Sequence, residues 1–233
     1  MKPSAVRRLY PALFAAFVLG TGLIAGAASA ETTAGGQRVE CRPGTASRAE
    51  GAFVACTLAR NAAVRTGGGA AVTCLGGRAI RFDAAGALVT CWLAGAVEFP
   101  AARGPGVPCA GGDMAAFGPR GTLVVCTLAR AATLATSRGT ALPCAAGRQA
   151  GFDAAGGLAD CTLTERRALP TPSGTFDCAP GRIEFSARTG QLRACVLAGA
   201  RSLTTDRGQR LVCRAGGNVY FSPETGAFTL CNI

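Results

Sequence analysis

The sequence predicts an all-β protein, an elongated array of about six stacked β-hairpin repeats that is stapled by disulfides. Three observations favour this fold. Twelve cysteines recur at intervals of 15 to 18 residues from Cys41 to Cys231, and such regular spacing indicates internal repeats. Turn sequences such as D-A-A-G and S-P-E-T-G separate short apolar runs, as they do in hairpins. After residue 30, no stretch combines a sustained helical apolar period with helix caps.

Residues 1–30 are predicted to form a secretory signal peptide. Lys2, Arg7 and Arg8 give a positive start, residues 13–27 are apolar, and residues 28–30 (A-S-A) form a cleavage site. A membrane anchor is the alternative, but the apolar stretch is short for a span and ends in small residues. We therefore expect a secreted or periplasmic protein, without a transmembrane span after cleavage, in a compartment that supports disulfides.

The mature chain is expected to begin with a flexible leader and to continue as one repeat domain. Residues 31–40 (ETTAGGQRVE) are small and polar, which is typical of a flexible segment. Residues 41–233 hold the six-unit β-repeat domain.

Two kinds of segment alternate in this domain, with a full period of about 35 residues. The first kind is clearest in residues 74–93, CLGGRAIRFDAAGALVTCWL, and its first copy, residues 41–58, is shorter, as expected of a terminal cap. The five full copies share a phenylalanine and a turn glycine: Phe82, Phe117, Phe152, Phe185 and Phe221, and Gly86, Gly121, Gly156, Gly190 and Gly226. The linking segments also read as strand–turn–strand. One hairpin cannot bury its apolar face alone, so the units must stack; a parallel β-solenoid is the alternative.

An even number of cysteines in an exported chain favours disulfides. Pairing within the first kind of segment uses every cysteine, whereas pairing across the links leaves Cys41 and Cys231 without neighbours. A simple hairpin register would place Cys91 opposite residue 78, so its bond to Cys74 requires the chain to curl back around Gly77. The favoured pairs are Cys41–Cys56, Cys74–Cys91, Cys109–Cys126, Cys144–Cys161, Cys178–Cys195 and Cys213–Cys231.

The run F-x3-G-x-L, as in Phe82, Gly86 and Leu88, resembles the aromatic-x3-G-x-L core of variant MORN-type repeats, found in bacterial proteins labelled YwqK-like antitoxins. Unlike those repeats, these segments carry a cysteine at each end and lack the additional Tyr, Trp and Gly positions. The resemblance implies stacked β-hairpins that contact proteins or membrane surfaces, and it implies no catalytic residues.

The composition argues against several kinds of active site. The chain has no histidine, which removes His-dependent triads and the usual zinc and copper ligand sets. Asp83 and Asp153 stand in turns, where aspartate hydrogen-bonds to its own backbone. We predict no catalytic, metal or cofactor site and no enzymatic activity, and we assign the repeated phenylalanines to the core. Trp92 replaces Thr, Val or Asn of the other units and points opposite to Cys91, which makes it a candidate contact residue.

The net charge is +11, and Lys2 is the only lysine. The expected function is binding or structural, toward a protein or a cell-envelope component. An arginine-mediated binder of anionic lipid or cell-wall polymer is the second reading, and an exported hydrolase that uses only Asp and Glu is the third. Nucleic acid is not an expected partner, because the longest basic run after residue 30 is Arg166 and Arg167.

Overall fold

A computed structural model describes residues 27–232, which contain 23 β-strands and no helix. Most of the predicted signal peptide, residues 1–26, lies outside the described residues, as does Ile233. The strands are β1 (Ser29–Thr32), β2 (Arg38–Cys41), β3 (Ser47–Ala49), β4 (Ala52–Thr57), β5 (Ala62–Arg65), β6 (Ala71–Cys74), β7 (Ala79–Phe82), β8 (Leu88–Trp92), β9 (Val97–Phe99), β10 (Val107–Cys109), β11 (Met114–Phe117), β12 (Leu123–Thr127), β13 (Ala132–Ala135), β14 (Ala141–Cys144), β15 (Gln149–Phe152), β16 (Leu158–Leu163), β17 (Arg167–Thr171), β18 (Gly174–Phe185), β19 (Leu192–Leu197), β20 (Arg201–Thr204), β21 (Arg210–Cys213), β22 (Asn218–Phe221) and β23 (Phe228–Cys231).

Six hairpins stand side by side in one long antiparallel sheet, the main sheet. These main hairpins are, in order, β3–β4, β7–β8, β11–β12, β15–β16, β18–β19 and β22–β23. Neighbouring hairpins are joined by pairs such as Cys56 with Ile80. Every strand pairing within residues 27–232 is antiparallel, which confirms the hairpin array and shows that the β-solenoid alternative is wrong.

Six further hairpins, the cover hairpins, form a second layer. They are β1–β2, β5–β6, β9–β10, β13–β14, β17 with the first part of β18, and β20–β21. One cover hairpin and the main hairpin that follows it make one unit of about 35 residues. The tips of cover hairpins reach the next unit where one follows: the Gln37 side-chain amide donates to the Gly86 carbonyl at 3.1 Å, and the Phe228 amide donates to Ser173 Oγ at 2.9 Å.

The hydrophobic core lies between the two layers. The phenylalanines at the shared repeat position are buried, with Phe82 4 % and Phe221 3 % exposed. The cover hairpins contribute smaller apolar residues to the same core, such as Val64 and Leu142. Because each strand alternates its side chains, the core takes one face of each layer and leaves the other face to solvent. Within residues 27–232, no helix is long and apolar enough to cross a membrane.

Glycines with positive φ occur three times in every unit, which makes eighteen within residues 27–232. At Gly86 the φ angle is 82°, a conformation that strongly favours glycine. A side chain there would also collide with the cover hairpin above it, because a Cβ would lie 2.9 Å from Thr33 Oγ1. The repeated turn glycine therefore serves both the turn and the close contact between layers.

Six disulfides join the cysteines within the first kind of segment, and each ties a cover hairpin to the main hairpin after it. They are Cys41–Cys56, Cys74–Cys91, Cys109–Cys126, Cys144–Cys161, Cys178–Cys195 and Cys213–Cys231. The register differs from the simple one. A β-bulge lies between the pairs Arg81–Thr90 and Phe82–Leu88, which places Cys91 beside Ile80 rather than residue 78.

The prediction of a flexible leader at residues 31–40 is wrong. These residues belong to the first cover hairpin, in which Glu31 pairs with Val39 and Val39 is buried in the core. They fold because they repeat the cover-hairpin pattern: Gly36 stands five residues before Cys41, as Gly69 does before Cys74. The repeat array therefore begins at Ser29, within the predicted cleavage site, and not at Cys41.

Candidate contact surface

The outer face of the main sheet, which faces away from the cover hairpins, carries a ladder of paired residues across all twelve strands. Residues paired on neighbouring strands point to the same side of a sheet. In the middle of the ladder, Thr90 pairs with Ala116, and Ala116 pairs with Val125. One pair further along the same strands, Trp92 stands opposite Met114.

Trp92 lies on this outer face, as its position in the sequence predicted. Its neighbour Cys91 is 1 % exposed and belongs to the core, whereas Trp92 is half-buried. The guanidinium carbon of Arg78 stands 4.5 Å from the centre of the Trp92 ring, a cation–π distance. Trp92 is therefore held by Arg78 on one side and by its cross-strand partner Met114 on the other.

The residues around Trp92 form an apolar area, which we call the outer patch: Val89, Trp92, Met114, Ala116, Val124 and Val125. Met114 is 40 % exposed and Val124 is 38 % exposed. An antiparallel sheet with one solvated face usually places polar side chains there. An exposed apolar cluster on such a face is typical of a contact surface.

Charged residues border the outer patch on both sides. Arg78 and Arg81 are exposed at one side. At the other side Asp160 stands opposite Glu184, and Arg182 reaches both, at 3.3 Å from Asp160 Oδ1 and 2.8 Å from Glu184 Oε1. The outer patch is thus an apolar area with a cationic border on the side of the first units.

The pKa of Asp160 is raised above its ordinary value. Burial is the main cause, because it disfavours the charged carboxylate; Arg182 opposes the shift and Glu184 adds to it. Gly151, its partner on β15, makes room for Asp160, since a Cβ on Gly151 would overlap the carboxylate. The two carboxylates are close, but both are ion-paired on an open sheet face. The carboxylate-only hydrolase therefore gains no enclosed site from them.

Arginines form no continuous stripe on the outer face. Arg78, Arg148 and Arg182 share one repeat position, four residues after the first cysteine of their segments, but Asp113 occupies it in the third unit. Seven arginines of the described residues form ion pairs.

Another recurring position of arginine lies at the tips of cover hairpins. Arg103, Arg138 and Arg207 each directly precede a positive-φ tip glycine. Among residues 27–232, these three arginines are exposed and form no ion pair with a carboxylate.

The two turn aspartates have the turn role that the sequence predicted. Asp83 Oδ1 accepts a hydrogen bond from the Ala87 amide at 2.8 Å. Asp153 Oδ1 accepts bonds from the amides of Ala155 and Gly157, both at 2.9 Å. These carboxylates stabilise the turns between the strands of main hairpins two and four. Within the described part of the chain, no group of three or more Cys, Asp or Glu residues could hold a metal ion.

Sequence reasoning found Trp92 but missed Met114 and Val124. Strand alternation places Val124 on the inward face with Cys126 and Leu128, but Leu123 is buried in its place and Val124 is 38 % exposed. Val124 and Val125 are adjacent to each other, and the β-bulge turns both away from the core. The bulge itself is not visible in the alternation of the sequence.

Comparisons with known proteins identify no relative. The chain matches no family model, no curated protein and no solved structure.

Proposed function

We propose that this is a secreted or periplasmic protein without enzymatic activity that binds a protein or a cell-envelope component through the outer patch. The observation that carries the proposal is the half-buried Trp92 opposite the exposed Met114, with the exposed Val124 further along the outer face of the same sheet. Large, rigid side chains such as Trp commonly dominate binding energy when a partner covers them. The resemblance to variant MORN-type repeats supports the same role.

Two features of the molecule favour binding at this place. The inner face of the strands under the outer patch is fixed by Cys74–Cys91 and Cys109–Cys126, so little conformational entropy remains to be lost on binding. Arg78 and Arg81 border the patch, which favours a partner with an apolar centre and acidic residues at its rim.

The repeat supplies substitutions that remove the patch with little effect on the fold. Trp92→Thr copies Thr127, Met114→Gln copies Gln149, and Val124→Thr copies Thr229, the residues at the same positions of other units. The control is Val212→Thr, which removes a 65 % exposed valine from the last cover hairpin and copies Thr73.

The test is a quantitative affinity purification from an envelope extract with the oxidised protein. We expect a set of partners that is retained by wild type and by V212T, and that is lost in the triple variant W92T/M114Q/V124T. If the triple variant retains the same partners as wild type, the outer patch is not the binding surface.

A second candidate function rests on the tip arginines. Arg103, Arg138 and Arg207 present unpaired cations at equivalent tips, which favours binding to anionic lipid or cell-wall polymer. We expect R103A/R138A/R207A to lose binding to vesicles that contain phosphatidylglycerol, and we expect this binding to weaken with salt.

The control for this candidate removes three arginines that already pair with carboxylates, Arg60, Arg130 and Arg188. If R60A/R130A/R188A loses vesicle binding to the same degree, the tips have no special role and only net charge matters.

A further inference from the structure

A cavity lies where the repeat is irregular. Four cover hairpins have a tip of five residues that begins with a buried threonine: Thr33, Thr66, Thr136 and Thr205. The fifth cover hairpin turns instead in two residues, because Thr171 pairs directly with Gly174. Its tip is shorter and has no equivalent buried threonine.

A cavity of about 330 Å³ opens beside this short tip. The tip of the fourth cover hairpin forms one wall with Arg138 and Thr140, and the fifth cover hairpin forms another with Leu169 and Thr171. Phe185 and Leu192 of the main sheet line the cavity as well, and they are 8 % and 5 % exposed.

Two positive-φ glycines let the walls approach each other. A Cβ on Gly190 would lie 2.8 Å from Arg138 Cγ, so the stem of Arg138 rests on the bare backbone of this turn. A Cβ on Gly226 would lie 2.6 Å from Gln191 Oε1. This amide oxygen is buried and has no hydrogen-bond partner among the described residues. The position of Gln191 carries small residues, such as Ala87 and Ala227, in other units.

Nearly all residues that line the cavity are uncharged. Apolar side chains from both layers line the cavity together with Thr140, and none of its eleven lining residues is acidic. The hydroxyl of Thr171 already donates to the Gly174 carbonyl at 2.8 Å. The only charged lining residue is Arg138, which forms no ion pair with any carboxylate in residues 27–232. An apolar space with one cation at its edge suits a ligand with an apolar body and one anionic end.

We propose that this cavity binds a small amphipathic carboxylate, whose carboxylate group pairs with Arg138 and whose apolar part lies against Leu169, Phe185 and Leu192. The volume limits the size of the ligand. At about 30 Å³ per water-sized group, the cavity holds roughly ten non-hydrogen atoms, the size of a medium-chain fatty acid or a phenylalkanoate. The site is separate from the outer patch, because the cavity lies between the layers and the patch lies on the opposite face of the main sheet.

Octanoate is the probe, and octanol is its neutral counterpart. Binding to the full oxidised chain is measured at neutral pH by titration followed with amide NMR shifts, which also locates the site. We expect saturable shifts at residues 138–140, 169–172 and 190–192, and weaker binding of octanol.

Three variants make the test specific. Arg138→Ala should weaken octanoate binding by about tenfold, in line with the loss of a charge-assisted hydrogen bond. Arg207→Ala is the matched control: it removes the arginine at the same tip position of the sixth cover hairpin and should leave affinity unchanged. Thr140→Trp fills the cavity mouth and should abolish binding.

The outcomes that overturn the proposal are equally concrete. Octanoate that binds R138A as well as wild type, or octanol that binds as well as octanoate, would show that no anion site exists at Arg138. Shifts centred on Trp92 and Met114, lost in W92T, would place the probe on the outer patch instead. No saturable shift at millimolar octanoate would also overturn it.

Discussion

Cys74 pairs through its backbone with Leu93, just after the end of β8, while its sulfur is bonded to Cys91, two residues earlier in the chain. The disulfide therefore runs diagonally from the end of a cover hairpin to the inner face of the main sheet. Equivalent bridges occur at Cys41 with Leu58 and at Cys109 with Leu128. Each disulfide fixes the crossing of the two layers rather than the closure of a single hairpin.

Removal of one disulfide should destabilise the cover hairpin that the disulfide joins to the main sheet. A loop of this size is expected to contribute about 3 kcal/mol, so C74S/C91S should lower the free energy of unfolding by about that amount in a denaturant titration. Hydrogen exchange should accelerate first in β5 and β6, because their hairpin is a separate two-stranded sheet. Uniform acceleration across the main sheet would contradict the proposed role of the bridge.

The close contact at Gly86 gives a second prediction. Gly86→Ala should cost at least about 2 kcal/mol more than Gly112→Ala in the free energy of unfolding, because an added Cβ overpacks the layer contact. Gly112 is the control, since its φ angle of 79° is similar but a Cβ there meets nothing within 4 Å. Gly112→Ala should show only the backbone cost of about 1 kcal/mol. Equal losses would mean that the two layers do not touch at Gly86.

The raised pKa of Asp160 gives an expected pH dependence of the free energy of unfolding. Its pKa is raised in the folded state, mainly by burial, so the folded protein holds this proton more tightly than the unfolded chain. Stability therefore falls as pH rises from the ordinary Asp pKa through the raised one. Asp160→Asn removes the cost of burying a charged carboxylate. The variant should therefore be more stable than wild type at pH 7 but not at pH 3, as measured by denaturant unfolding at both pH values.

Asp177 serves as a control, because its pKa is shifted in the opposite direction. Its pKa is lowered, first by the hydrogen bond from Arg166, so its carboxylate adds stability above the ordinary Asp pKa and loses it as pH falls through the lowered one. Asp177→Asn should therefore be less stable than wild type at pH 7 and equal to it at low pH. The same sign of change for both variants at pH 7 would refute the assignment of these two shifts.

The predicted signal-peptide cleavage site lies within the first strand of the first cover hairpin. Cleavage after Ala30 would remove two residues of β1, while Glu31 and Thr32 keep their partners Val39 and Arg38. The ion pair between Glu31 and Arg48 would also remain. We expect the exported protein to begin at Glu31 in an intact-mass measurement, and a mass that includes residues 1–30 would contradict the predicted signal peptide.

Much of this fold could be predicted from the sequence because it repeats. The spacing of cysteine, phenylalanine and glycine gave six hairpin units, since each position recurs with the same burial. The register could not be predicted, because the bulge at Phe82 and Leu88 inserts an extra residue on β8, and the alternation of the sequence does not show it. The first cover hairpin was missed because Gly36 and Val39 lie in a polar run that resembles a linker.

The candidate sites were less predictable than the fold. Trp92 was visible because it departs from the residues of other units. Met114 is an ordinary strand residue whose exposure depends on its partner across the sheet. The cavity beside Arg138 exists because the pairing of Thr171 shortens the tip of the fifth cover hairpin. No pattern in the sequence predicts this short tip.

We expect the outer patch to contact a partner in cells that export the protein. A photoreactive phenylalanine analogue at position 92, compared with the same analogue at position 212, tests it most directly in cells that export the protein. Both positions lie on strands and reach solvent, since Trp92 is half-buried and Val212 is 65 % exposed, but only position 92 belongs to the patch. We expect a discrete covalent adduct after illumination at position 92 and none at position 212. An adduct of equal yield at position 212, or no adduct at position 92, would contradict it.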